Sequence, residues 1–276
     1  MDVSGQQEPP AGLVEQGQAT VPDPLAARRR FASRLVGEGI ELGPGHSPFP
    51  VPAGVKVRYL DRWEPGENSS LFPELGDPQT FLQPDIPVNL DLDRLNVIVD
   101  ESQSFAIASH IIEHLANPLA MLVEIHRVLR PGGLLILLLP DRHSTFDRER
   151  APTPLAHLVD EYRRDVREVD DAHIVDFIIG CLKSTGDGRD TNVLISERSS
   201  EEIELHRRRS VHAHVWDMSE FEDVMAYAAG ELRACFDVID TVRPGEEGTQ
   251  GNEFGWLLER RSPLDIPEAP DRHLQA

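Results

Sequence analysis

Cysteine is scarce in this chain: Cys181 and Cys235 are the only two among 276 residues. Two thiols make no disulfide framework, so a reduced, cytoplasmic setting is expected. Aromatic residues are only 6% of the sequence, so the core must be mainly aliphatic. No apolar run approaches the roughly 20 residues a membrane span needs. The opening MDVSGQQEPPAG lacks the basic region and apolar core of a secretory signal. Basic residues are outnumbered, 27 against 48 acids, for a net charge of −21. Phosphate binding needs a basic field, so no nucleic-acid partner is expected. The runs Arg28-Arg29-Arg30 and Arg207-Arg208-Arg209 sit among acids and read as solvated helix faces. An acidic surface suits a neutral or cationic small molecule and disfavours polyanions.

What is present is a well-marked α/β pattern. Phe105–Ser109 is a short apolar run. Leu119, Met121, Leu122, Ile125, Val128 and Leu129 then recur at helical spacing. Pro131-Gly132-Gly133 ends that helix, and Leu134–Leu139 is a continuous apolar run, as in a strand buried on both faces. Strand, crossover helix and strand make one βαβ unit of a parallel sheet. Ligands of such sheets bind at the carboxyl ends of the strands, here near Ser109-His110 and Asp141. Upstream, Ile40 to Gly45 runs from an apolar strand into Glu41-Leu42-Gly43-Pro44-Gly45, and Val55–Asp61 alternates before ending in an acid. The intervening HSPFPVPAG holds three prolines and cannot form a long helix. Ile86–Leu92 reads as a third strand region.

The wording ASHIIEHL, then EIHRVLRPGG, then an apolar strand ending in Pro140-Asp141 resembles the class I S-adenosylmethionine-dependent methyltransferases, in their type 11-like form. The resemblance covers residues 38–141 by motif and 212–260 by pattern. It implies a Rossmann-like, mostly parallel seven-stranded sheet with helices on both faces and a helical insertion after the fifth strand. Residues 24–262 would form the domain, with the insertion or lid at about 142–213. Residues 1–23 and 263–276 read as tails, the first rich in Gln, Pro, Gly and Ala with little to bury. Within the insertion, Leu155–Val175 and Ile174–Leu182 have helical spacing, and Ser196–Ser210 reads as a charged surface helix. Met218–Leu232 is a core helix with Ser219 as N-cap and Glu222 as its capping-box partner. Cys235–Val242 and Glu253–Glu259 would add the last two strands as a hairpin.

The same resemblance implies S-adenosylmethionine as cofactor. Its candidate contacts are Glu41, Gly43, Pro44, Gly45, Asp61, Arg62, Asp91, Leu92, Ser109 and His110. Glycines let the backbone come close to a ligand, and a carboxylate such as Asp61 accepts both protons of a vicinal diol. The family's frequent Phe-Asp before the fourth strand is Phe105-Ala106 here, so that acid is absent. The reaction implied is methyl transfer to an amine or hydroxyl of a small-molecule metabolite, cationic or sugar-bearing, with no metal required. His143, His110 and His214, in that order, are the candidate bases. The resemblance leaves room for a homodimer. Three alternatives stand beside this reading. One is an O-methyltransferase of a neutral hydroxylated product, and another a non-catalytic scaffold with the same fold. The third is a zinc hydrolase using His110-x-x-Glu113-His114, a spacing that on a helix puts both histidines on one face.

Overall fold

Successive strand residues point to opposite faces, and the middles of strands 4 and 5, Phe105–Ala108 and Leu134–Leu139, are apolar at every step. In β4 (Gln103–Ser109), Phe105 and Ile107 enter one core while Ala106 and Ala108 enter the other. In β5 (Leu129–Pro140), Ile136 and Leu138 face the first core and Leu135, Leu137 and Leu139 the second. Each buried Ile, Leu or Phe contributes about 1.5–3 kcal/mol, and a sheet covered on both faces follows. The structure is a computed structural model that describes residues 23–62, 65–73 and 81–261. Both expected tails lie essentially outside those residues.

In chain order the elements are α1 (Ala26–Ala32), β1 (Glu38–Leu42), β2 (Lys56–Asp61), α2 (Pro65–Leu71), β3 (Ile86–Pro87), β4 and α3 (Pro118–Val128). After β5 come α4 (Leu155–Arg164), α5 (Asp171–Ser184), α6 (Thr191–Ser196), α7 (Ser200–Arg209), α8 (Met218–Gly230), β6 (Phe236–Val242) and β7 (Glu253–Arg260). One seven-stranded sheet has the order β3-β2-β1-β4-β5-β7-β6. It is mixed: β7 runs antiparallel to both β5 and β6, and the remaining pairs are parallel. Phe31 of α1 lies in the core on one face; Leu122 and Ile125 of α3 and Phe221 and Val224 of α8 lie in the core on the other.

Local chemistry moves several expected boundaries. The third strand shrinks to two residues, because Pro87 has no N–H for the ladder and the Asn89 side chain accepts from Asp91 N and Leu92 N, turning the chain. Pro131-Gly132-Gly133 forms a bulge within β5 instead of a turn before it; Gln103 pairs with Leu129, then the register shifts and Phe105 pairs with Leu134. The helical spacing of Leu155–Val175 is divided between α4 and α5, because α4 closes on Asp165 at φ +53° and Asp170 starts α5 as its N-cap. The N-cap of α8 is Asp217, two residues before the expected Ser219, with Glu220 completing the capping box. Gly43–Val55, proline-rich, forms no helix, as the sequence requires.

His110-x-x-Glu113-His114 does not form a helix either. His110 has φ +53°, and Ile112–His114 is a single 3₁₀ turn. The one-face presentation that a zinc peptidase needs from this motif is therefore missing.

Candidate functional site

The sheet order reverses between β1 and β4, and the crevice at that point is where open α/β sheets hold ligands. Four connections meet there. The loop after β1 carries Gly43 at φ +56° and Gly45 at φ +53°. A Cβ on Gly43 would stand 2.5 Å from Ile111 Cδ1, so a side chain is excluded by both conformation and space. β2 ends on Asp61, whose Oδ1 accepts from Arg62 N at 2.7 Å. The Asn89 turn presents Asp91, and β4 ends beside His110. With Phe72, Phe81, Arg209 and Ser210 they enclose a cavity of about 250 Å³.

Burial governs the charges around it. Asp91 accepts from Ala116 N at 2.8 Å; burial pushes its carboxyl up to about 6, against the pull of that N–H and of Arg62. Arg62 is drawn below its ordinary value by burial and donates to the Arg208 carbonyl at 2.8 Å, joining β2 to α7. Glu41, 2% exposed, lies on β1 behind the glycine loop. One of its oxygens accepts from Phe49 N at 2.9 Å, and burial raises its carboxyl to about 7.

His110 is the cavity residue tied to a buried carboxylate. Its Nε2 is 2.9 Å from Glu253 Oε2, and its Nδ1 is 3.8 Å from Glu113 Oε1. Glu253 is fully buried and takes a two-point bond from Arg28, at 3.2 and 2.5 Å. Burial works against the Glu253 charge, but His110 and Arg28 outweigh it and hold the carboxylate down at about 2. Thus α1 and β7 fix the ring that closes β4.

A second cavity, about 190 Å³, adjoins the first and shares Arg62, Asn89, Asp91 and Ser210 with it. Its wall comes from the α4–α5 connection and the end of α7. Four arginines (62, 167, 207, 208) stand against three acids (Asp91, Glu168, Glu204). The strong negative charge of the whole chain therefore has no local counterpart here.

Of the sequence-derived residues, Gly43, Gly45, Asp61, Arg62, Asp91 and His110 line the first cavity, and Leu92 lines the second. Pro44 is buried between the two glycines, and Ser109 is half-buried at the end of β4. The three histidines are not brought together. His143 is 56% exposed, off both cavity walls, with Nε2 3.3 Å from Asp217 Oδ2. His214 is fully buried beside His157, Glu161 and His173. Phe72, Phe81, His114 and Arg209 line the first cavity without having been singled out for it. His114 donates its backbone N–H to the Ile111 carbonyl at 3.1 Å and its Nδ1 contacts the Ser210 carbonyl; burial lowers its ring to about 4. The EHL wording was the available signal for it.

A family model described as a methyltransferase domain matches residues 78–137. The match takes in Asp91, Ser109 and His110, and stops short of the glycine loop and Asp61. No curated protein matches the sequence. Among solved structures, the chain is similar to the CurJ carbon methyltransferase at 12% identity and a TM-score of 0.42, over 84% of this chain and 51% of that one. The chain thus spans about half the length of that relative. It is also similar to a SAM-dependent methyltransferase from Aquifex aeolicus (15% identity, TM-score 0.40, 87% and 90% of the two chains). A third is an S-adenosylmethionine-dependent methyltransferase from Mesorhizobium loti (12%, 0.44, 85% and 96%). TM-scores below 0.5 are too low for these likenesses to carry an argument about activity.

Proposed function

We propose that the class I S-adenosylmethionine-dependent methyltransferase domain this chain carries transfers a methyl group to an amine or hydroxyl of a small molecule, with His110 as the base. The observation that carries this reading is the gathering of Gly43, Gly45, Asp61, Asp91 and His110 on one cavity at the strand-order reversal. The residues fit the cofactor. Gly43 has no room for a Cβ, Asp61 offers a carboxylate for a ribose diol, and Phe72 and Phe81, with ring centroids 6.4 Å apart, supply an aromatic wall.

When bound, the cofactor supplies a methyl group already electrophilic on a sulfonium. The chain's own tasks are to align a nucleophile, exclude water and take a proton. His110 Nε2 is held by Glu253, which fixes the ring and supports a positive charge on it, as a base that protonates during turnover needs. Its Nδ1 side faces Glu113, buried, at 3.8 Å. Residues 142–213 act as a cap over the crevice: Arg209 and Ser210 wall the first cavity, and Val169, Ile174 and Arg207 the second. The acceptor enters by the second cavity. Its nearly balanced charges favour a neutral or mixed-charge acceptor over the cationic one that net charge alone suggests. A hydroxylated or sugar-bearing molecule fits this field. A single domain over residues 24–262 and a cytoplasmic setting complete the proposal; among the described residues, no helix is long and apolar enough to cross a membrane.

Calorimetric titration with S-adenosylmethionine tests it. Wild type binds, and Asp61→Ala weakens binding by about 10-fold or more, the worth of a charge-assisted hydrogen bond at roughly 1.5–3 kcal/mol. His110→Gln retains binding but loses about 10²–10⁴-fold in turnover, the usual share of a general base. A folded wild type that binds no cofactor, or an Asp61→Ala variant that binds as well, would refute the assignment. A His110→Gln variant with full turnover would remove the base and leave the cofactor site standing.

A further inference from the structure

Four metal-ligating side chains converge in the cap, outside both cavities. His157 and Glu161 lie one turn apart on α4, hence on one face. His173 comes from the first turn of α5, and His214 from the extended stretch before α8. His157 Nε2 is 2.9 Å from His173 Nε2 and 3.1 Å from Glu161 Oε1. His173 Nε2 is 3.3 Å from the same oxygen, and His214 Nε2 is 3.6 Å from Glu161 Oε2. Ligands about 2.0–2.1 Å from a tetrahedral zinc stand about 3.3 Å from one another. The contacts of His157 and His173 with each other and with Glu161 Oε1 scatter around that edge length; His214 stands against the carboxylate's other oxygen, and ligand atoms of all four residues lie within 4.8 Å of one another.

Hydrogen bonding alone accounts for this cluster poorly. Glu161 Oε2 and His214 Nε2 are buried without a hydrogen-bond partner, on residues 2% and 0% exposed. They face each other at a distance too long for a hydrogen bond and suited to two ligands of one ion. His173 Nδ1 is 2.7 Å from Asp170 Oδ1, the outer carboxylate contact that turns the other nitrogen toward a metal. His157 is 39% exposed, which leaves an entry path.

We propose that His157, Glu161, His173 and His214 bind a divalent zinc-type cation that fastens α4 and α5 to the segment leading into α8. Three imidazoles and one carboxylate suit zinc. Four protein ligands close the tetrahedron, so the site is structural, with no position left for water or substrate. Its place fixes the helices that wall the second cavity, since Ile174 follows His173 directly. The proposal needs no methyl transfer and stands apart from the cofactor assignment.

The test is metal analysis of the untagged full chain, loaded with zinc and freed of excess by gel filtration. We expect about one zinc per chain, a cobalt derivative with the intense visible bands of tetrahedral coordination, and a melting temperature that falls when chelator is added. His157→Ala should lose the metal. Asp170→Ala, outside the ligand shell, should weaken affinity by about 10–100-fold; because it also removes the N-cap of α5, Asp170→Ser, which keeps a cap but no carboxylate, should weaken it equally. A rival trio, Glu113, His114 and His212, also brings its ligand atoms within 4.8 Å of one another, so His114→Ala is the control. The proposal is overturned if wild type retains no metal, if cobalt gives only the weak octahedral spectrum, or if zinc survives His157→Ala and is lost in His114→Ala. Should His157→Ala fail to fold, the Asp170→Ala affinity and the wild-type cobalt spectrum decide.

Discussion

Arg28→Ala destabilises the protein by about 3–5 kcal/mol, the cost of breaking a buried ion pair from one side. Arg28 is 6% exposed on α1, and it meets a Glu253 that is fully buried on β7. Removing the guanidinium leaves that carboxylate with His110 as its remaining side-chain partner. A Glu253→Gln change added to Arg28→Ala recovers much of the loss, because it removes the stranded charge as well; urea melts of wild type, the two single variants and the double variant measure the coupling. The acid limb of stability follows from the same triad. Glu253 is held at about 2, below its ordinary 4.5. Its contribution is therefore complete above pH 4.5 and is lost as pH falls toward 2, on the order of 3 kcal/mol in all. Arg28→Ala flattens that limb. Since His110 is the proposed base, the variant also shifts the pH profile of turnover, which a purely structural pair would leave in place. A loss under about 1 kcal/mol would mean that the pair is solvated and not buried.

The sheet was legible because its residues act locally. Phe105–Ala108 and Leu134–Leu139 are apolar at every step, and only burial on two faces explains that. Asp61 and the two glycines were legible for the same reason: strand end and turn are encoded within a few residues. The Arg28–Glu253–His110 triad was not, because its members lie 225 and 143 positions apart and nothing in their neighbourhoods marks them as partners. The histidines were misleading in a related way. His212 and His214 share an extended stretch, yet His212 turns to Asp147 at 2.6 Å and His214 to Glu161. Their environments are set by α4 and α5, whose placement periodicity does not give. The HxxEH spacing likewise pairs its two histidines only on a helix, and the positive φ of His110 removes the helix.

Glu41→Gln separates the stability of the glycine-loop region from its function, and pH is the variable that exposes it. Glu41 has one oxygen bonded to Phe49 N and the other buried without a hydrogen-bond partner. Burial raises the carboxyl from 4.5 to about 7, and the Phe49 N–H and Arg28 only partly oppose it. Below pH 4.5 both folded and unfolded chains carry the proton, and the residue costs nothing extra. Between 4.5 and 7 the folded chain keeps a proton that the unfolded chain has released, so stability falls as pH rises. Above 7 the full cost is present, on the order of 3 kcal/mol. A glutamine keeps an acceptor for Phe49 and never ionises. At pH 8 the variant should therefore be more stable than wild type by about 2–3 kcal/mol, and at pH 4 equal to it, in denaturant melts at each pH. An acid kept at such a cost is explained if its charge is used when ligand binds, pairing with the cofactor's amino group. Cofactor binding by wild type at pH 6 should then release protons, read from the dependence of calorimetric heat on buffer ionisation, and the glutamine variant should release fewer there, any remainder coming from Asp91, while binding more weakly. Wild-type stability that stays flat from pH 5 to 8 would show that Glu41 titrates as an ordinary carboxylate and that its burial has no functional return.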